Sequence, residues 1–409
     1  MAKNEDKRMM KIGVLKKAYY CEKRNVTDRV NERAQRASYC LIKRYDVRAC
    51  MGIAADKLLK KLRHRGMSPQ HGNRLRDYYH PLLTPPVDVI HTCNVICETK
   101  KPWIVTFEGA LPLGLRMEDT PAQRAWVQRC YEQMASPSCK KLLAFSQWAA
   151  DCTRDWMRRN GCEQFDAIDR KIEVLYPPQQ VQVTRAEIEE KFRDVNQELR
   201  FVFVGRDFYR KGMYECLQAL CEVRKTFPVH LTLISGLAQG YSYRVPKYGK
   251  AEETAVQRLL QENANWIDFH QSLPNEQVLA LCKRAHVGLL PTYRDSFGYS
   301  VIEMQSCGCT VLSTDVFALP ELNNPTIGYV CHIRDAVEAL TDDDDAAIQA
   351  LKPLLARELR RVLPEIVAER ATLAEKAIRA MEQVARQHDP TRHGERLYQL
   401  YQECVKEHE

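Results

Sequence analysis

Short apolar and β-branched runs recur along the chain, separated by stretches with helical spacing. In the first half they are Met10-Lys-Ile-Gly-Val-Leu15, Val47–Ile53, Val87–Thr92, Trp103-Ile-Val-Thr-Phe107, Leu142–Phe145 and Ile172–Tyr176. In the second half they are Leu199-Arg-Phe-Val-Phe-Val204, His230–Ser235, Trp266–Phe269, Val287-Gly-Leu-Leu290 and Thr310–Thr314. Continuous apolar runs of this length are the signature of strands buried on both faces. Helical stretches between them predict parallel sheets joined by right-handed crossovers. Ser146 is placed to cap a helix over 147–160, with Gly161 ending it, and Asn275 to cap one over 276–285 just after Pro274. The alternation occurs twice. The join falls near Pro177-Pro178 and the polar stretch 184–196. The pattern therefore predicts an α/β protein with two Rossmann-like domains facing each other across a central cleft.

Beyond about residue 340 the pattern turns helical. Asp342–Asp345 reads as a solvated helix start. A helical stretch over 346–386 is expected to be interrupted at Pro353 and Pro364. A last amphipathic helix follows Pro390, with Leu397, Tyr398, Leu400 and Tyr401 on its apolar side.

Composition narrows the class. A chain of 409 residues is too long for one ordinary core. No apolar run approaches the length of a transmembrane helix, and the polar start MAKNEDKRMM has no secretory h-region. The 16 cysteines are scattered and read as buried, reduced thiols of a cytosolic protein. Cys93 and Cys97, like Cys307 and Cys309, lack a second pair at zinc-site spacing, so no metal site is expected. The net charge of +8 suits an acidic partner: a nucleotide, an anionic lipid surface or a nucleic acid. No aromatic-basic RNA-binding motif is present, which argues against nucleic acid.

Candidate chemistry gathers at two strand ends of the second half. After Leu199–Val204 comes Gly205-Arg-Asp-Phe-Tyr-Arg-Lys-Gly212, which crowds Arg206, Arg210 and Lys211 into one strand-to-helix loop. Cations beside a helix N-terminus suit a phosphate, and a solvated basic loop is the plain alternative. After Val287–Leu290 comes Asp295-Ser-Phe-Gly-Tyr-Ser-Val-Ile-Glu303. Asp295 and Glu303 are carboxylates that can accept from paired sugar hydroxyls at the two ends of one ligand. A turn acid and a helix acid with no ligand is the alternative. A third acid-bearing loop, Asp315-Val-Phe-Ala-Leu-Pro-Glu321, follows the next strand.

Together these residues resemble the nucleotide-sugar domain of the family-4 retaining glycosyltransferases (glycosyl transferases group 1), which have the GT-B architecture. The resemblance rests on Gly205-Arg206, Lys211-Gly212, Asp295-Ser-Phe-Gly298, Glu303, Cys307-Gly308, Ser313-Thr-Asp315 and Leu319-Pro-Glu321, supported by Ile267–Glu276 and Ala285–Pro291. Asp88–His91, Trp103–Glu108, Phe145-Ser146 with Ala149, and Ile172–Pro178 resemble the acceptor domain. The resemblance implies domains over 1–180 and 181–386, and a final segment over 387–409 packing back on the first domain. It implies that Gly205, Arg206 and Lys211 hold the donor diphosphate and that Arg206 and Lys211 stabilise its leaving charge. Glu303 would hold the ribose and Asp295 the donor sugar, with Ser296, Phe297, Gly298 and Tyr299 lining the sugar pocket. The expected activity is transfer of a sugar, with retention, from a UDP- or GDP-sugar to a saccharide or lipid-linked acceptor in cell-surface polysaccharide or lipopolysaccharide synthesis. The donor is a co-substrate; no cofactor or metal is implied.

Three departures stand out. Asp295 stands where the family usually has Glu, a reach shorter by on the order of 1.5 Å. The loop after the first strand, Lys16-Lys-Ala-Tyr-Tyr20, has no glycine. Glu108 stands where many relatives have His, and is a candidate to bind an acceptor hydroxyl or take its proton. His91 is either a second candidate or a satisfied buried histidine. Lys57–Arg65 (KLLKKLRHR) reads as a basic amphipathic helix suited to an anionic membrane, or as an ordinary surface helix. The expected location is the cytoplasm and the inner face of the membrane. Other readings are a GT-B protein with epimerase or phosphorylase chemistry and a non-catalytic subunit.

Overall fold

The computed structural model describes residues 9–15, 36–42, 78–81, 83, 85–112, 120–238, 244–341 and 344–406. The expected strand over Val47–Ile53, the Lys16–Tyr20 loop and the Lys57–Arg65 helix lie outside the described residues. The chain divides into two compact units, 1–178 with 390–409, and 179–389.

The strands of the first unit are β1 (Met10–Leu15), β2 (Ala37–Ile42), β3 (Tyr78–Tyr79), β4 (Val89–Cys93), β5 (Ile96–Cys97), β6 (Trp103–Phe107), β7 (Cys139–Ala144) and β8 (Ile172–Val174). Six of them form a parallel sheet in the order β2-β1-β4-β6-β7-β8, while β3 and β5 pair separately. Every residue of β4 and β6 is buried, including the polar His91, Thr92 and Thr106, as expected of strands covered on both faces. The helix Gln147–Arg159 starts where Ser146 Oγ accepts from the Ala149 amide at 3.1 Å, and Gly161 beyond it takes a positive φ of 59°. The helix Pro390–Lys406 buries Leu397, Leu400, Tyr401 and Cys404 against Ile12, Val89, Ile104 and Leu143 of the sheet.

The second unit repeats the plan with β9 (Leu199–Val204), β10 (Val229–Ile234), β11 (Ile267–His270), β12 (Val287–Leu290), β13 (Thr310–Thr314) and β14 (Gly328–Cys331). Its parallel sheet has the order β11-β10-β9-β12-β13-β14. Counted within the unit, that order is third, second, first, fourth, fifth, sixth, the doubly wound arrangement. The α/β class predicted from patterning is the one adopted.

Two local expectations are corrected. The helix Asp345–Ala368 runs unbroken through Pro353 and Pro364. Both prolines are exposed, so the backbone carbonyls they leave without a donor face water. The break comes instead at Arg370–Thr372, a single 3-10 turn before the helix Leu373–Gln387. Most described cysteines are free thiols, but Cys93 is disulfide-bonded, against the all-reduced reading.

Candidate functional site

The strand order of the second unit reverses between β9 and β12, which are neighbours in the sheet. In an open parallel sheet this is where two loops diverge from the carboxyl edge and leave room for a ligand. The two loops are those singled out above: Gly205–Gly212 after β9, and 291–298 after β12.

Each loop is fixed by particular residues. Gly212 holds a φ of 66°, and a Cβ there would stand 1.9 Å from the Pro291 carbonyl oxygen. Only glycine permits both the left-handed backbone and that approach. Arg210 then fastens the loops together. Its guanidinium donates to Asp207 Oδ2 within its own loop and to the Arg294 carbonyl in the other. The Tyr293 amide donates back to the Arg210 carbonyl at 3.1 Å. Arg210 is thus a clasp, a role its neighbourhood of cations concealed.

Lys211 and Asp295 meet across the same gap. Lys211 Nζ lies 3.6 Å from Asp295 Oδ2, with side chains 13% and 18% exposed. Such a pair is mostly out of water and is screened less than a surface ion pair. The other Asp295 oxygen accepts from the Gly298 amide at 3.0 Å. Gly298 has a φ of 92°, and a Cβ there would meet Leu319 Cδ2 at 2.4 Å. The turn delivers the chain into the helix Tyr299–Ser306, with Phe297 buried and Ser296 and Tyr299 half-buried. The Phe297 and Tyr299 rings pack edge-on at 5.0 Å. The Gly298 amide, expected to face a sugar, is thus used within the chain. Glu303 is half-buried on that helix. Arg206 is exposed beside β9, with no side-chain hydrogen bond or ion pair to the described residues. Its carbonyl accepts from the Ala238 amide, which ties the loop after β10 to the same edge.

Asp315 is accounted for structurally. Oδ1 accepts from the Ile333 and Arg334 amides at 2.9 Å each, and Oδ2 lies 3.0 Å from His332 Nδ1. It caps the turn into the helix Arg334–Glu338.

In the first unit, Glu108 sits just past β6 and is locked to Asn94, just past β4. Asn94 Nδ2 donates to Glu108 Oε1 at 3.3 Å, and the Glu108 amide donates to Asn94 Oδ1 at 3.2 Å. Asn94 is buried in the left-handed region, φ 56°, a conformation asparagine tolerates better than most residues. An asparagine directly after a predicted strand is the one signal of this contact in the sequence. His91 is fully buried: Nδ1 lies 2.7 Å from the Tyr401 hydroxyl, while Nε2 has no hydrogen-bond partner among the described residues. Burial pushes its pKa down to about 3, with nearby His393 adding to the shift. Among the described residues no cluster of three or more His, Cys, Asp or Glu side chains is arranged to hold a metal ion, and no helix is long and apolar enough to cross a membrane.

Two parallel six-stranded units, the second with basic and acidic loops at its switch point, define the class: this is the fold of the GT-B glycosyltransferases. More particularly, residues 184–354 match the family described as Glycosyl transferases group 1. The chain is 28% identical over 153 residues to glycogen synthase of Mycobacterium tuberculosis, covering 36% of this chain and 34% of that protein. It is 23% identical over 302 residues to D-inositol 3-phosphate glycosyltransferase of Corynebacterium aurimucosum, covering 70% and 64%. These matches span about a third and just under two thirds of those relatives. Anabaena HepE, solved in complex with UDP and glucose, superposes with a TM-score of 0.55 at 12% identity, covering 95% of this chain and 98% of that one.

Proposed function

We propose that the protein is a nucleotide-sugar-dependent glycosyltransferase that retains anomeric configuration. The observation that carries this reading is the Lys211–Asp295 contact at the switch point, with Arg206 exposed in the same loop as Lys211. Lys211 and Arg206 bind the donor diphosphate and stabilise the charge that develops as it leaves. Asp295 turns from Lys211 to the donor sugar, with Ser296, Phe297 and Tyr299 around it. Glu303 accepts from the ribose hydroxyls. Glu108, held in place by Asn94, takes an acceptor hydroxyl.

The acceptor is a saccharide or a lipid-linked saccharide of the kind used in cell-surface polysaccharide or lipopolysaccharide synthesis, reached from the cytoplasmic side. UDP in the Anabaena complex makes UDP-glucose the first donor to try. Calorimetry with UDP, GDP, ADP and their sugar conjugates, with and without divalent metal, tests the donor half. Saturable binding of one nucleotide, lost in Glu303→Ala, is expected. Equal affinity in that variant removes the ribose assignment. NMR of the product anomer tests retention.

A further inference from the structure

A cavity of about 420 Å³ lies in the second unit among the helices Met213–Arg224, Lys250–Glu262 and Asp345–Ala368. It is lined by Glu215, Gln218, Ala255, Arg258, Ala356 and Arg360 among others. None of these belongs to the loops after β9 and β12. The volume is within the range of small-molecule sites.

Its inner wall carries an acid that packing alone does not explain. Glu215 is 3% exposed, and its Oε1 accepts from the Tyr248 hydroxyl at 2.7 Å. The Tyr248 hydroxyl lies 3.3 Å from that of Tyr293, on the β12 side. Glu215 Oε2 has no hydrogen-bond partner among the described residues. A buried carboxyl oxygen left this way costs free energy unless something fills the position. Burial raises the Glu215 pKa and favours the neutral acid, so Oε2 can carry a proton and donate as well as accept.

The mouth of the cavity has the opposite character. Arg258 and Arg360 are exposed there. Arg258 reaches Glu262 at 3.7 Å, and the rim acid Glu222 is engaged by Lys225 at 2.7 Å. Arg360 has no ion pair among the described residues. A buried hydrogen-bonding wall facing a cationic rim matches a molecule with hydroxyls at one end and an anion at the other. A free amine fits poorly beside the two rim arginines.

We propose that this cavity is a second ligand site, independent of the donor site, for a small phosphorylated sugar or polyol. Glu215 and Gln218 take its hydroxyls, and Arg258 and Arg360 take its phosphate.

The test is calorimetric titration of the full chain with glucose 6-phosphate, glucose and inorganic phosphate. Arg258→Ala/Arg360→Ala removes two exposed side chains, and Glu215→Gln keeps the volume of the buried one. Glucose 6-phosphate is expected to bind the wild type, to weaken about tenfold or more in the double variant, and to be unaffected by Glu303→Ala. Loss in Glu303→Ala with no change in the double variant would assign the binding to the donor site and overturn the proposal. So would the absence of binding at millimolar concentration. Inorganic phosphate binding as tightly as the sugar phosphate, with Glu215→Gln silent, would reduce the site to an adventitious anion on two arginines.

Discussion

Lys211 and Asp295 stand 3.6 Å apart although 84 positions separate them, and each comes from a different strand at the reversal of the sheet. Asp295 serves two partners at once, the ammonium of Lys211 and the amide of Gly298. These two bonds have different consequences and can be separated. Asn at 295 retains an acceptor for the Gly298 amide and loses the charge, whereas Ala loses both. Asp295→Ala is expected to cost roughly 1–2 kcal/mol more stability than Asp295→Asn, read by chemical denaturation. Equal stabilities would mean that the turn does not depend on that acceptor.

Arg206 and Lys211 are expected to matter more for turnover than for folding. Removing a positioned cation from a developing phosphate charge typically costs on the order of a hundredfold in rate. Arg206→Ala and Lys211→Ala should each lose about that much, with Arg206→Ala leaving the melting temperature unchanged because its side chain is exposed. Arg210→Ala should do the reverse, lowering stability first, since it ties Asp207 to Arg294. Wild-type turnover in both Arg206→Ala and Lys211→Ala would remove the diphosphate assignment.

Gly212→Ala should disturb the site without touching a functional side chain. A Cβ at 1.9 Å from the Pro291 oxygen forces the two loops apart, and the left-handed φ adds strain. A loss of roughly 2–4 kcal/mol is expected, against about 1 kcal/mol or less for an exposed glycine such as Gly161, whose added Cβ meets nothing within 4 Å. Comparable losses at the two positions would refute the close approach.

Buried neutral histidines predict acid sensitivity in both units. The His91 pKa is depressed to about 3, and that of His286 to about 4, in each case chiefly by burial. In the unfolded chain each binds a proton near pH 6.5, so between that value and the folded one the unfolded state holds more protons. Stability is full above about pH 6.5 and falls as pH drops toward 4, by up to about 1.4 kcal/mol per pH unit for each histidine. Thermal melts from pH 7.5 to 4.5 should show the decline. A flat melting temperature would contradict neutral, buried rings.

Much of this was written in the sequence, for identifiable reasons. Strands β6, β9, β12 and β13 coincide with their apolar runs because both faces are buried and no polar alternation blurs the ends. Strand β2, Ala37–Ile42, escaped because its burial is only partial and its sequence mixes Ser, Tyr and Cys. Strand β14 escaped because four residues after a Pro-Thr turn give too little periodicity. The helix through Pro353 and Pro364 defeated a local rule, since which face meets solvent is a tertiary property. At the candidate site the same division holds. Residue types and spacing marked Lys211, Asp295 and Glu303, but three neighbouring cations looked alike until their partners distinguished them. The Asn94–Glu108 exchange depends on β4 and β6 lying side by side, which no short window encodes.

The packing of Leu397, Leu400 and Tyr401 against Ile12, Val89 and Ile104 also bears on how the protein is made. On a ribosome the first unit emerges early, yet part of its core is encoded some 300 positions later, a gap set by the His91–Tyr401 contact. The second unit, continuous in the chain, can fold while the first still waits. Until the last helix arrives, the face of the first sheet that it covers stays open to water and to other chains. A stalled or clipped product would carry a finished second unit on an unfinished first one, the kind of molecule that chaperones and proteases sort.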